Sequence, residues 1–307
     1  MKLVSIVTVN FKEETVTLDF LKSVYKNGGL VNFEVILVDN GCVSNNEEAF
    51  KARYPDLIYI QSEKNLGFAG GNNLGIQKAS GKYVLLLNND TEVTPNFLSI
   101  LIAEMDNNPQ IGLLSPLLLY FEDKSLIQYA GFSKMNYLTG RNKTVGKFSI
   151  DNGQYNNLSY ETGFCHGAAM VCRRLDLEDV GLMEENYFLY YEEMDWCEKF
   201  KRNGKKIWFT GKVKIYHKES VSVGRESSLK TYFLTRNRML FIRKNTSFLN
   251  QLIFSFYFFT IACPVLIFKY LISGKKKQIK WIGKGIMWNL KYPSNSSFLG
   301  FPNLTNS

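Results

Sequence analysis

The chain has 307 residues, 45% of them hydrophobic and 14% aromatic, with seven prolines, which supports a full core and excludes a mini-protein or a disordered, low-complexity sequence. The formal charge is +9, yet no Asp or Glu follows Glu226: residues 227–307 hold twelve Lys/Arg, leaving 25 bases against 28 acids before them. Bases that flank an apolar stretch, with no basic folded face among stacking aromatics, point to a membrane surface with anionic lipid and away from nucleic acid. Cys42, Cys165, Cys172, Cys197 and Cys263 are odd in number and form no C-x-x-C pair, so neither a zinc knuckle nor a disulfide framework is expected. A reducing cytoplasm suits them.

The opening "MKLVSIVTVNF" carries an apolar run too short for a signal-peptide core and reads as a first strand. Residues 3–9, 33–39, 57–62 and 82–88 are short, β-rich apolar runs, the pattern of strands covered on both faces. Helical patterns separate them: Val16, Phe20, Leu21 and Val24 share one face of residues 15–26, with looser patterns at 69–79 and 95–105. This alternation predicts an α/β fold with a doubly wound, mostly parallel sheet, whose ligands bind beyond the strand C-termini. Three polar clusters then face one crevice: Asp39-Asn40 after the second strand, residues 65–73 after the third, and Asn88-Asn89-Asp90 after the fourth. Residues 117–160 lack periodicity and read as hairpins and loops. Strand character returns in "TGFCHGAAMVCRR" (162–174), a helix over 190–204 stops at Gly204, and residues 205–220 predict two further strands.

Four clusters carry chemistry. The loop "NLGFAGGNN" places Gly67, Gly70 and Gly71 before a helix, but it lacks the G-x-G-x-x-G spacing and follows the third strand, which argues against a dinucleotide fold. Asn65, Gly67 and Gly71 read as turn residues with positive φ, at a helix start whose amides suit a pyrophosphate. Asp90 is either the cap of a local turn or a carboxylate that holds a hard divalent ion, the substrate diphosphate supplying the other oxygens. Glu192, Glu193 and Asp195 are either a solvated first turn or, amid Tyr187, Phe188, Tyr190, Tyr191 and Trp196, partly desolvated carboxylates suited to general-base work. His217, one of two histidines, is structural unless it joins such company.

In this order the pieces resemble the inverting GT-A glycosyltransferases of family 2, and in particular its rhamnosyltransferase-like members. The resemblance covers residues 3–244 in the blocks "VSIVTVNF", "VILVDNG", "NLGFAGGNN", "LLLNNDTEV", "GAAMVCRR", "YEEMDWCEKFKRNG", "YH" and "TYFLTRNRMLF". It implies that Asp39 accepts the imide N–H of a uracil or thymine base, and that Thr8, Asn10, Asn65 and Gly67 line the nucleotide. It implies Asn88 toward the ribose and Asp90 on Mg²⁺ or Mn²⁺, the pair standing where the family carries Asp-x-Asp. Glu193 stands where the family places its catalytic Asp, with Glu192 and Asp195 as neighbours. His217 stands where some members have a metal-side histidine, and Gly167, Ala168 and Ala169 fall on the acceptor wall. The reaction implied is a single inverting displacement, the base deprotonating an acceptor hydroxyl as it attacks the anomeric carbon.

Residues 245–268 carry no charge and are apolar enough to span a bilayer or to form a buried core helix. A single crossing would leave one strongly basic flank outside, against the positive-inside rule, so a re-entrant or interfacial segment is expected, with "WIGKGIMWNL" as a further anchor. The expectation is a GT-A domain over 1–244 and a membrane-associating tail over 245–307, on the cytoplasmic face of the cell membrane as a peripheral or monotopic enzyme. Its substrates would be a dTDP-rhamnose or UDP-sugar donor and a hydroxyl of a polyprenyl-linked surface-polysaccharide glycan. A sugar nucleotidyltransferase is the alternative enzyme, though "VTVNFKEET" lacks its glycine- and arginine-rich triphosphate loop. A non-catalytic glycan- or lipid-binding scaffold is the alternative from another class, kept open by Asn88 and Glu193 in place of the usual Asp.

Overall fold

The structure is a computed structural model that describes residues 2–42, 45–218 and 227–302. The apolar runs become β1 (Val4–Asn10), β2 (Phe33–Asn40), β3 (Ile58–Ser62) and β4 (Tyr83–Leu87), joined by α1 (Glu14–Asn27), the short α2 (Glu47–Lys51) and α3 (Gly67–Lys78). They pair in parallel in the order β3-β2-β1-β4, with α1 burying Phe20, Leu21 and Val24 as their spacing requires.

After β4 the chain runs through β5 (Thr91–Val93), α4 (Phe97–Asn107), β6 (Ile111–Tyr120), β7 (Ile127–Tyr129), β8 (Ser159–Glu161) and β9 (Ala169–Arg173). It continues through α5 (Asp176–Val180), α6 (Glu192–Arg202) and β10 (Lys206–His217). The sheet extends as β4-β9-β6-β10-β5, with β9 antiparallel to both its neighbours, so the expected parallel half is joined to a mixed half. Of residues 117–160, expected as hairpins and loops, 121–158 are so, with β7 inside them, while 117–120 continue β6 and 159–160 belong to β8. The two strands expected over 205–220 are one: β10 runs unbroken beside β6, with a register shift between Thr210 and Lys214. Residues 219–220 of that expectation lie outside the described residues. Gly204 closes α6 at φ 73°, a conformation glycine takes without a Cβ clash.

The remaining helices are α7 (Ser228–Asn245), α8 (Phe248–Tyr257), α9 (Cys263–Ile272) and α10 (Lys276–Lys291). A π-helical turn, Phe258–Ala262, joins α8 to α9, giving one apolar helix over Phe248–Ile272. That helix runs back along α7: Phe258 lies 5.6 Å from the Arg238 guanidinium, and the Tyr270 hydroxyl is 3.4 Å from Thr231 Oγ1. On another side of α7, the Asn289 amide of α10 donates to the Arg236 carbonyl at 2.9 Å. The tail expected from residue 245 is therefore part of the catalytic body, since Phe254, Phe258, Ile282 and Trp288 share one buried cluster with Phe241 and Ile242.

Candidate active site

The parallel strands end on a cavity of about 540 Å³, whose walls include Asn65, Gly67, Asn88, Asp90, Gly167, Ala168, Glu192, Glu193 and His217. These residues come from five chain segments far apart in sequence. Thr8, Asn10, Asp39, Ala169 and Asp195 do not line it.

On the floor, β5 pairs antiparallel with β10 so that Thr91 sits opposite His217, which brings the preceding Asp90 to the histidine. Asp90 Oδ1 lies 3.2 Å from His217 Nε2, yet no donor meets that oxygen with hydrogen-bond geometry. His217 Nδ1 is 2.9 Å from Gln128 Oε1, so with the amide in this orientation the neutral ring carries its proton on Nδ1 and turns the Nε2 lone pair toward Asp90. Two facing lone pairs call for a shared cation. Burial pushes the Asp90 carboxyl upward, but when His217 is doubly protonated its charge and its Nε2–H, with the adjacent amide and Lys218, outweigh burial and hold the group below the usual carboxylate range, the place a bound cation takes when the ring is neutral. A buried, ionised, unsaturated oxygen beside a fixed imidazole fits a divalent ion. No three His, Cys, Asp or Glu side chains group into a metal site among the described residues, so such an ion would depend on oxygens brought by the substrate.

Another part of the wall is the N-terminus of α6. Burial pushes Glu193 up to about 7 against the pull of nearby backbone amides, and it pushes Glu192 well above the usual range, with the Glu193 charge adding to the effect. Glu192 Oε2 is buried without a partner. Near neutrality this leaves a protonated Glu192 beside a Glu193 able to accept a proton. Asp195 does not line the cavity: its Oδ1 takes both the Tyr187 hydroxyl at 3.1 Å and the Asn245 amide at 2.7 Å, and its Oδ2 is buried without a partner.

The turn before this helix is held open by force. Phe188, Tyr190 and Tyr191 have φ of 65°, 72° and 77°, values that bulky L-residues rarely adopt. The Asn237 side-chain amide of α7 donates to the carbonyls of Tyr187, Leu189 and Tyr190 at 2.9, 2.9 and 2.8 Å, fixing the strained segment. Next to it, Arg236 is fully buried; its guanidinium donates to the Asn186 carbonyl and to Asn237 Oδ1 at 2.7 Å each, and stacks 3.9 Å from the Trp288 ring of α10. Sequence reasoning quoted this stretch as a block but gave neither residue a role, because its job is to bond to carbonyls that leave no trace in composition. It also missed Lys230, the one Lys or Arg among the described residues of the cavity wall, and His166, whose Nδ1 accepts the Ala168 N–H at 3.1 Å. Burial, reinforced by His217, pushes His166 down to about 3, so its ring is neutral.

On the strand-end side, Asn65 Oδ1 accepts the Gly67 N–H at 2.9 Å, and Asn40 Oδ1 accepts the Leu66 N–H at 2.8 Å. Gly67 has the expected positive φ of 70°; a Cβ there would lie 2.1 Å from the Phe188 carbonyl oxygen. Gly71 does not have positive φ. It sits inside α3, where a Cβ would press 2.9 Å from Val9 Cγ1, so close packing on β1 is its reason. Asp39 is fully buried and already accepts from Asn10 (2.8 Å), Cys42 (2.8 Å), Asn46 (3.0 Å) and Tyr59 (2.7 Å). A base N–H reaches it only by displacing one of these donors. Thr8 Oγ1 is buried beneath the sheet end without a partner, and Ala169 is fully buried with its carbonyl accepting from Ser115. The Asn88 N–H donates to the Ala168 carbonyl at 2.9 Å, tying the floor to the Gly167–Ala168 wall.

The family described as "Glycosyl transferase family 2" matches residues 5–181, more than half of the chain. The chain is 28% identical over 242 residues to the low-salt glycan biosynthesis hexosyltransferase Agl10 of Haloferax volcanii, covering 77% of this chain and 74% of that one. It is 24% identical over 213 residues to an N-acetylglucosaminyl-diphospho-decaprenol L-rhamnosyltransferase of Mycobacterium tuberculosis, covering 62% and 68% respectively. The structure of GalNAc-T7 with UDP, GalNAc and Mn²⁺ superposes with a TM-score of 0.59 at 16% identity, over 86% of this chain and 57% of that chain, a likeness of fold. With the family match spanning the strands that build the crevice, the chain belongs to glycosyl transferase family 2 and is a glycosyltransferase.

Proposed function

We propose that the enzyme transfers a sugar, with inversion, from a nucleotide-diphosphate donor to a hydroxyl of a lipid-linked glycan. The observation that carries this reading is that the Asp90–His217 pair and the Glu192–Glu193 pair line the wall of one cavity. The nucleotide lies against Asn65, Gly67 and Asn88, with the α3 amides and Lys230 facing its diphosphate. Asp90 and His217 hold Mg²⁺ or Mn²⁺, which when bound supplies charge neutralisation for the departing diphosphate. Glu193 Oε takes the proton of the acceptor hydroxyl, and Glu192, being neutral, keeps a second charge out of the pocket. The strained turn at 188–191 and the aromatic wall exclude water from the reacting carbon.

The donor is dTDP-rhamnose or a UDP-sugar, and the acceptor glycan rides on a polyprenyl diphosphate, in keeping with the acceptor named for the mycobacterial relative. The lipid part is supported by Phe248–Ile272, a 25-residue helix whose most apolar window has mean hydropathy 2.0 and is only 22% buried. Phe248, Phe256, Val265, Phe268 and Ile272 are more than 60% exposed along it. The helix runs beside α7 and α10 comes back to the same body, so it lies in the membrane plane and not across it, with Lys275, Lys276, Lys277 and Lys280 toward anionic lipid at the cytoplasmic face.

The test is nucleotide release by the purified chain from dTDP-rhamnose and UDP-sugars, with and without polyprenyl-linked acceptor and divalent metal. Acceptor-stimulated release from one donor is expected, lost together with its metal requirement in Asp90→Ala. Equal turnover and an unchanged metal requirement in that variant would remove the assignment.

A further inference from the structure

A second pocket, of about 290 Å³, opens beside the first, lined by Arg141, Asn142, Tyr191, Arg238, Phe258 and Leu266 among others. Its chemistry is one-sided. Arg238 Nε and Asn142 Nδ2 are buried N–H donors without a partner, and no Asp or Glu lines the pocket among the described residues. The Arg238 guanidinium spends another nitrogen on the Thr139 carbonyl, with the Tyr257 hydroxyl beside it. Arg141 stands exposed at the tip of the hairpin closed by the Asn136–Arg141 and Phe132–Thr144 bridges. Burial lowers the proton affinity of Arg238, and the nearby charge of Arg141 adds to that effect. Two cations in one pocket, with orphaned donors and no carboxylate in its wall, are unfavourable unless an anion joins them.

The position of the pocket says which anion. One wall, Phe258 and Leu266, belongs to the apolar helix whose outer face is bare. Tyr191, the N-cap residue of α6, supplies another part of the wall, and its phenol lies within electrostatic reach of Arg238, Glu193 and Arg141. An anion held here therefore adjoins both hydrocarbon-compatible surface and the start of the helix that carries the catalytic carboxylate.

We infer that this pocket binds the diphosphate of the prenyl-linked acceptor, its lipid chain leaving along the apolar helix and its glycan entering past Tyr191 toward Glu193. The inference rests on the lipid-linked acceptor reading above and adds the place where the headgroup is read. Charge-assisted bonds from Arg141, Arg238 and Asn142 select the diphosphate, and the pocket fixes how far the acceptor hydroxyl reaches into the site.

The experiment uses the full chain and phosphatidylcholine vesicles, either plain, doped with undecaprenyl diphosphate, or doped to equal charge with phosphatidylglycerol. Wild type is expected to bind the prenyl-diphosphate vesicles roughly tenfold more tightly than the phosphatidylglycerol ones, as for one or two bonds to a charged group. Inorganic pyrophosphate should compete this preference away. Arg141→Gln, a change at an exposed side chain, should abolish the preference while leaving thermal unfolding, UDP binding and attachment to phosphatidylglycerol vesicles as they were. Arg238→Lys should reduce it. If both variants keep the preference, the headgroup is read elsewhere and the pocket assignment falls while the lipid-linked acceptor stands. If wild type shows no preference at all, the lipid-linked reading fails and this inference with it.

Discussion

Glu193 is one methylene longer than the aspartate expected at its position, and its burial sets both its proton affinity and its pH behaviour. Removing a general base costs about 10²- to 10⁴-fold in rate, so Glu193→Gln should lose that much kcat while donor binding stays near wild type in calorimetry. Because the group must be ionised to act, kcat/KM should rise with pH through about 7 and then level off. The stability effect has the opposite sense. A carboxyl raised from 4.5 to about 7 stabilises the fold fully below its unfolded value and loses that contribution as pH climbs through its folded one. Glu193→Gln should therefore melt higher than wild type above neutrality and close to it in acid; a constant difference at all pH values would remove the buried-carboxyl account. At Gly67, alanine would combine positive φ with a Cβ 2.1 Å from the Phe188 oxygen, so Gly67→Ala should cost at least about 1–3 kcal/mol in denaturant unfolding and weaken donor binding. Gly67 was legible in the sequence through the turn, whereas the aromatic surroundings marked all three acids alike and only the family resemblance singled out Glu193. Asp195 was not separable from Glu193 there, because which way a carboxylate points from a helix start depends on Asn245 and Tyr187, partners fixed only by the fold.

At the scale of elements, the four parallel strands were readable because strands covered on both faces are apolar throughout. β9 was visible as a strand but its antiparallel insertion between β4 and β6 was not, since nothing in a single run records which neighbours it pairs with. α7 hid its role for a different reason. Thr231, Phe233, Arg236, Asn237 and Leu240 are buried on different sides of it, so no polar stripe marks its solvent face and its polar residues are internal ties. Asn237→Ala should leave the carbonyls of Tyr187, Leu189 and Tyr190 without their donor, at about 1–3 kcal/mol for each group left unsatisfied. The larger consequence is for the turn before α6, which would relax from its left-handed conformation and carry Glu193 out of line. We expect kcat to fall at least tenfold more than the binding of UDP, measured by turnover and calorimetry; equal losses would mean a general destabilisation.

For the whole molecule, the basic, apolar tail and the sheet are one body, and this changes how membrane attachment must be tested. Deleting residues 246–307 would strip Phe254, Phe258 and Trp288 from the cluster they share with Phe241, so the truncated chain should aggregate and would not report on the membrane. Replacing Phe256, Phe268 and Ile272, which are 72%, 63% and 72% exposed, by serine should keep the melting temperature and reduce vesicle binding in sedimentation. High salt should weaken the wild-type attachment only in part, because apolar burial persists when charges are screened. Full release by salt alone would mean a purely electrostatic contact. The stacking of Arg236 on Trp288 also has a consequence in time. Arg236 and Asn237 brace the turn that presents the catalytic carboxylates, and the ring that covers Arg236 is translated some fifty residues later. In chain order the sheet precedes the segment that covers that guanidinium, and the apolar helix precedes α10. The brace of the turn before α6 is thus completed only once the last helix has been made, so the shape of that turn is set last.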